Sequence, residues 1–146
     1  MDLAAALDFA RSRRQTVLTT LRDDGRPQLS NVIYTLDDEG VFRVSITATR
    51  AKYKNLRKRP WAALHVSAED FWSYVVVEGD AELGPVATSP DDPSIEELID
   101  LYRTLAGEHP DWDEYRRAMV EEQRSVLRVR PIRAYGMLRL PKPSGT

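Results

Sequence analysis

Apolar positions along this chain recur with two different periods, and the switches between them mark out its elements. Leu3, Ala6, Leu7 and Ala10 return at helical spacing, which predicts an amphipathic helix over residues 3–12. Gln15 to Leu21 is β-branched and unbroken, a strand. Asp23-Asp24-Gly25-Arg26-Pro27 then turns the chain, because Asp-Gly supplies positive φ without steric cost. A return strand is expected from Gln28 to Leu36, a second turn at Asp37-Asp38-Glu39-Gly40, and a third strand from Val41 to Thr47 with Phe42, Val44 and Ile46 on one face. Three strands joined by short acidic turns predict an antiparallel meander. A short basic helix over about residues 50–59 follows and is stopped by Pro60.

The second half continues in the same way. Trp61 to Ser67 is a fourth strand and Phe71 to Leu83 a long fifth one, whose Val75-Val76-Val77 run predicts burial on both faces. Three prolines make Gly84 to Pro93 a loop. Ser94-Ile95-Glu96-Glu97 fits a capping box that opens a helix over about 94–105, with Ile95, Leu98, Ile99, Tyr102 and Leu105 on one face. Asp111 repeats the cap before a helix over about 112–122 that turns Tyr115, Ala118 and Met119 inward. Ser125 to Leu140 returns to strand character with Pro131 as a bulge or break, and a short tail covers about 141–146. Antiparallel strands with helices inserted between them predict a mainly β, α+β fold, a small β-barrel.

Composition narrows the function. The 146 residues fit one domain, 42% apolar and 30% charged, with a net charge of −2. No apolar run is long enough to span a membrane, and Met1-Asp2-Leu3-Ala4 lacks the basic start of a signal peptide, so the cytoplasm is the expected compartment. The absence of cysteine removes thiol nucleophiles and Cys-ligated metals, and two histidines far apart, His65 and His109, do not make a metal site. An acidic balance argues against nucleic acid as partner. No glycine-rich strand-to-helix loop of the phosphate-binding or dinucleotide-binding kind occurs.

Against that background one stretch stands out. Six of the ten residues from Arg50 to Arg59 are cationic and none is acidic. The plain reading is a solvated helix face. It suffices for Arg57, Lys58 and Arg59, which lie in the last turn, where cations meet the negative end of the helix dipole. It fails for Arg50 and Lys52, which sit in the first turn at a cost of about 0.3–1 kcal/mol each. An anion bound there would offset that cost, and the free amides of a helix start already point at it. Ser45, Thr47 and Thr49 add hydroxyls at the end of the preceding strand, so a phosphate clamp is expected, with the phosphate on a small cofactor.

Arg26-Pro27-Gln28-Leu29-Ser30-Asn31-Val32, Arg50-Ala51-Lys52 with Asn55-Leu56-Arg57, Trp72-Ser73-Tyr74 with Glu78-Gly79, and Ala106-Gly107-Glu108-His109 with Asp111-Trp112 and Tyr115 occur in the order of a known pattern. The chain resembles the split β-barrel proteins related to pyridoxamine-phosphate oxidase, and within them the actinobacterial branch that binds the deazaflavin coenzyme F420. The resemblance covers roughly Arg14 to Met137. It implies an antiparallel split β-barrel and a homodimer with two cofactor sites at the subunit interface. It further implies that Ser45, Arg50 and Lys52 hold the cofactor phosphate. Gln28, Ser30 and Asn31 would lie near the ring system, with Ile46, Thr47 and Asn55 completing the set. Trp72 from the partner subunit would wall the ring side, and Arg124 would reach the phosphate or the acidic tail of the coenzyme. In such proteins the cofactor carries the hydride, so no catalytic acid–base residue is assigned.

The expected function is therefore an F420-dependent oxidoreductase that reduces a small organic acceptor. The alternatives are an FMN-dependent oxidoreductase of the pyridoxamine-phosphate oxidase type and a non-catalytic deazaflavin or flavin carrier. By residue type alone, Trp72 and Tyr74 belong to a core or dimer interface. On the same grounds His65 is a packed or surface histidine and His109 a turn residue.

Overall fold

The computed structural model describes residues 1–139. Leu140, the end of the expected last strand, and the tail expected over 141–146 lie outside the described residues. Helix α1 (Leu3–Arg11) is capped by Asp2, whose carboxylate accepts from Ala4 N–H, and buries Ala6 and Ala10. Strands β1 (Gln15–Leu21), β2 (Pro27–Ile33), β3 (Thr35–Leu36) and β4 (Phe42–Thr47) come next, followed by helix α2 (Ala51–Lys58) and strands β5 (Trp61–Ser67) and β6 (Tyr74–Leu83). Helices α3 (Pro93–Ala106) and α4 (Trp112–Glu121) precede the last strand, β7 (Arg124–Met137). No helix among the described residues is long and apolar enough to cross a membrane.

The strands form one antiparallel sheet in the order β2-β1-β5-β6-β7-β4-β3. Strands β2 and β3 stand at its opposite edges, yet Tyr34 alone separates them in the chain. Consecutive Cα atoms are about 3.8 Å apart, so the two edges meet at Tyr34 and the sheet curls into a barrel. The expected meander is thereby corrected. The return strand is two strands, one paired with β1 and one with β4, and β2 never lies against the length of β4. Local patterning does not reveal the reason, which is tertiary. Tyr34 is fully buried, its hydroxyl donates to Ala10 O at 2.7 Å and its N–H to Arg14 O at 2.8 Å. Those bonds pin the crossing point beneath α1.

The same geometry opens the barrel on one side. Ala48 N–H donates to Gln123 O, so the alternation of an antiparallel ladder gives the even-numbered residues of β4 to β7. Ser45 and Thr47 turn their amides the other way. On β2, bonds from Tyr34 N–H to Arg14 O and from Arg22 N–H to Arg26 O fix the opposite parity, which turns Asn31 and Ile33 away from β1. Continued past Thr35↔Arg43, the β3–β4 register would set Ile33 opposite Ser45 and Asn31 opposite Thr47. The ladder stops instead, and two strand edges face each other unpaired. This is the split of a split barrel, and with the four helices it makes the α+β architecture expected from the sequence.

Inside, Leu18, Tyr34, Phe42, Val44, Ile46, Leu64, Val75 and Leu127 form the main core. Each fully buried aliphatic side chain there contributes about 1.5–3 kcal/mol of transfer free energy. Val75, Val76 and Val77 are all buried, as the run predicts. Strand β6 starts at Tyr74, later than expected, because Phe71 takes a positive φ of 76° in the preceding turn. Pro131 pairs with Gly79 at a bulge, and there Ile132 is the extra residue. A second core beside the barrel joins α3 and α4 through Ile95, Leu98, Ile99, Tyr115 and Met119.

Asp111 caps α4, accepting from Glu114 N–H at 3.1 Å, and His109 Nδ1 accepts from Asp111 N–H at 2.9 Å. The capping box at Ser94 does not form. The helix begins one residue earlier, with Pro93 in its first turn and Asp92 at the N-cap. Ser94 Oγ is buried without a partner, and Glu97 reaches outward to Arg43 Nε (3.1 Å) and Arg128 Nε (2.9 Å). Two guanidiniums on the barrel outcompete one backbone amide for that carboxylate.

Candidate functional site

A cleft of about 1600 Å³ opens along the split. Its cationic end is assembled from three elements. Strand β4 presents Ser45 and Thr47, half-buried on the face opposite its core residues Val44 and Ile46. Helix α2 starts there with Arg50 at the N-cap, no side-chain cap and no acidic residue in its first turn. The amides of Ala51, Lys52 and Tyr53 therefore have no partner within the helix. Arg124, the first residue of β7, lies directly across from Thr47.

The electrostatics of this end are unbalanced. Among the described residues neither Arg50 nor Lys52 is ion-paired, whereas Lys58 and Arg59 at the other end of α2 share Asp23. Arg124 bonds Glu122 at 3.2 Å and Ser45 O at 3.4 Å, yet its Nε–H is buried with no acceptor. The Lys52 ammonium is held below the usual lysine value, first by burial and then by Arg50 and Arg124. Three cations and an orphaned N–H thus converge on one point, which is the donor set of an anion site.

The other expected residues divide. Gln28 and Asn31 line the cleft. Ser30 and Asn55 do not line it; they belong to a relay in which Asn55 Nδ2 donates to Thr20 Oγ1 (3.1 Å) and Thr20 Oγ1 to Gln28 Oε1 (3.2 Å). Gln28 Nε2 then donates to Ser30 Oγ at 3.1 Å. Their part is to hold Gln28. Ile46 lies in the cleft wall, but its side chain is in the core and its amide faces β7. Trp72 stands away from this cleft, 58% exposed beside Phe71, with the Arg139 guanidinium 5.5 Å from its ring.

Sequence reasoning missed the rest of the lining. Tyr102, Leu105, Tyr115 and Met119 wall the cleft from α3 and α4. The Tyr115 phenol donates to Leu98 O at 2.9 Å, and burial pushes it up to about 12, with Arg124 opposing. Thr20, fully buried at the centre of the relay, and His65, on the floor of the cleft, were also missed. Only the strand registers reveal either one.

Comparison with known proteins agrees with the geometry. The family model described as pyridoxamine 5'-phosphate oxidase matches residues 3–138. A solved structure titled F420 reductase is 26% identical and superposes with a TM-score of 0.66, over 88% of this chain and 94% of that one. A conserved hypothetical protein from Mycobacterium tuberculosis is 22% identical, with a TM-score of 0.68 over 99% of this chain and 94% of the other. A pyridoxamine 5'-phosphate oxidase-related, FMN-binding protein from Nostoc punctiforme is 19% identical, with a TM-score of 0.60 over 90% and 80% of the respective chains. The latter two speak to the fold. With a family model matched across nearly its whole length, this split-barrel chain belongs to the pyridoxamine 5'-phosphate oxidase family.

Proposed function

We propose that this protein binds a phosphate-bearing flavin-type cofactor in the split and works as an oxidoreductase, with coenzyme F420 as the cofactor. In that role it passes a hydride from reduced F420 to a small organic acceptor. The observation that carries the reading is the cation cluster of Arg50, Lys52 and Arg124 around the start of α2, in which, among the described residues, neither Arg50 nor Lys52 is ion-paired and Arg124 Nε–H lacks an acceptor. Such a cluster is stable only at a cost that a phosphate would remove. Ser45, Thr47, Arg50 and Lys52 would hold that phosphate, and Arg124 the phosphate or an acidic tail. The unpaired edges at Asn31 and Ser45, with Gln28 held by its relay, fit the alternating donors and acceptors of a heterocycle edge. The cofactor supplies the hydride; the chain supplies position and charge.

A homodimer belongs to the same reading. Leu29, Ile33, Ile132, Tyr135 and Met137 are each more than half exposed on the sheet, and Phe71 and Trp72 join them from the turn before β6. A second copy would cover these side chains and bring the partner subunit's Trp72 toward the ring. F420 is preferred to FMN because a relative at 26% identity is titled an F420 reductase. FMN is the second reading, the pyridoxamine-phosphate oxidase type expected from the sequence, whose family model the chain matches. The test is oxidation of reduced F420 by a panel of carbonyl and activated-alkene acceptors. Protein purified with bound FMN that consumes oxygen, and that leaves reduced F420 untouched, would establish the second reading instead.

A further inference from the structure

The clamp explains one end of the cleft; strand register fixes what lies along its floor. Val17 of β1 pairs with Asn31 of β2 on one side and with His65 of β5 on the other. Cross-strand partners share a face of the sheet. Here it is the outer face, because these three alternate with buried Thr16, Leu18, Leu64 and Val66. All three line the cleft. Neighbouring strands lie about 4.8 Å apart, so His65 stands about 10 Å from Asn31 at the split, with Val17 between them. The row carries a polar edge, an apolar step and an imidazole.

His65 is half-buried and stacked on Tyr74, with ring centroids 5.2 Å apart and an interplanar angle of 30°. Its backbone carbonyl accepts from Thr16 Oγ1 at 2.9 Å, a bond that fixes the strand and leaves the ring alone. Among the described residues no hydrogen bond occupies either ring nitrogen. The charged and titratable groups at this end are Arg13, Arg14, Glu69 and Tyr74; those beyond are Tyr102, Tyr115, Arg50, Lys52 and Arg124. Arginines do not give up their protons. Lys52 belongs to the clamp. Phenols titrate near pH about 10 as a class, and Tyr115 already donates its proton to Leu98 O. Glu69 is, among the described residues, the one carboxylate lining the cleft, an acceptor when ionised. Among the described residues lining the cleft His65 carries the one imidazole, the side-chain type that most often serves as general acid or base.

We propose that His65 is the proton donor to the acceptor reduced in this cleft. The inference rests on the oxidoreductase reading above. Reduction of a carbonyl or an activated alkene needs a hydride and a proton. The reduced flavin-type cofactor supplies the hydride, which forms a C–H bond as the π pair moves to the oxygen or the far carbon. The imidazolium of His65 gives its proton to that atom, is left neutral, and recovers a proton from solvent. Stacking on Tyr74 holds the imidazole at the floor.

The test uses His65→Gln in the full chain, with His65→Asn as a second variant should the first fail to fold. Binding of F420 and FMN, followed by tryptophan fluorescence, is expected within about twofold of the unmodified protein, because His65 is outside the clamp. Turnover is expected to fall by about 100-fold or more, and the loss of rate at alkaline pH in the unmodified protein is expected to vanish. The imidazole NMR signals of His65 in the unmodified protein should shift on saturation with oxidised cofactor, a readout that needs no turnover. Unmoved imidazole signals, or an unchanged pH profile at full rate in the variant, would overturn the assignment of His65 alone. Failure of the unmodified protein to bind either cofactor would overturn the oxidoreductase reading and the proposal with it.

Discussion

Lys52→Ala separates a phosphate clamp from a merely basic helix. The ammonium lies in the first turn of α2 beside Arg50 and Arg124, with no ion-pair partner among the described residues, and its pKa is depressed by burial and by those two cations. Its removal relieves like-charge repulsion and breaks no bond, so the ligand-free protein should melt at the same temperature or slightly higher. With an anion in place the balance reverses. A hydrogen bond to a charged group contributes about 1.5–3 kcal/mol, so the dissociation constant for cofactor should rise by a factor of about 10–150. Lys58→Ala is the internal control. It removes the same charge from the same helix, but Lys58 sits in the last turn, 62% exposed and paired with Asp23 at 3.1 Å. Its loss should leave affinity unchanged within about twofold. Equilibrium binding of cofactor and of inorganic phosphate, with thermal melting of each variant, gives all the quantities. An equal loss of affinity in both variants would refute the clamp, and so would a Lys52→Ala protein that loses stability but no affinity.

Other expectations follow from the same contacts. A lysine whose folded pKa is depressed loses its penalty as pH rises through that value toward the unfolded one, near 10.5. Over that alkaline window the ligand-free protein should gain stability from Lys52 while phosphate affinity falls, and melting curves with and without phosphate should show opposite pH trends. Glu97→Gln leaves Arg43 and Arg128 without the carboxylate they share across α3 and the barrel. At half-buried positions this should cost about 1–3 kcal/mol, read as a lower urea midpoint at constant slope. Asn55→Ala removes the bond to fully buried Thr20 and should cost about 1 kcal/mol of stability, with inorganic-phosphate affinity unchanged. A large loss of phosphate affinity would return Asn55 to the clamp.

What could be read from the chain was what neighbours in sequence decide. The strand Gln15–Leu21, the twice-buried valines, the cap at Asp111 and the bulge at Pro131 all follow from local chemistry, and the structure contains each of them. The break at Tyr34 does not, because the groups that hold it, Ala10 O and Arg14 O, lie 24 and 20 residues away in sequence. The failed capping box has the same origin, since the partners of Glu97 come from β4 and β7. At the site, the misfit of Arg50 and Lys52 with the helix dipole was legible without any fold. The convergence of Arg124 on them needed the β4–β7 register, which a resemblance could suggest and periodicity could not. Ser30 and Asn55 carry polar groups of the right type. Only the hydrogen bonds reveal that they serve Gln28 and the barrel. His65 reads as one more strand residue until β1 places Asn31 two strands away on the same face.

The most direct test of the account is a binding titration of the purified protein with F420 and, separately, with FMN, followed by tryptophan fluorescence and repeated on Lys52→Ala. Saturable micromolar binding of F420, with FMN weaker and both weakened in the variant, is the result the account predicts. Tight binding of FMN alone would contradict the choice of F420, and binding of neither would contradict the cofactor cleft itself.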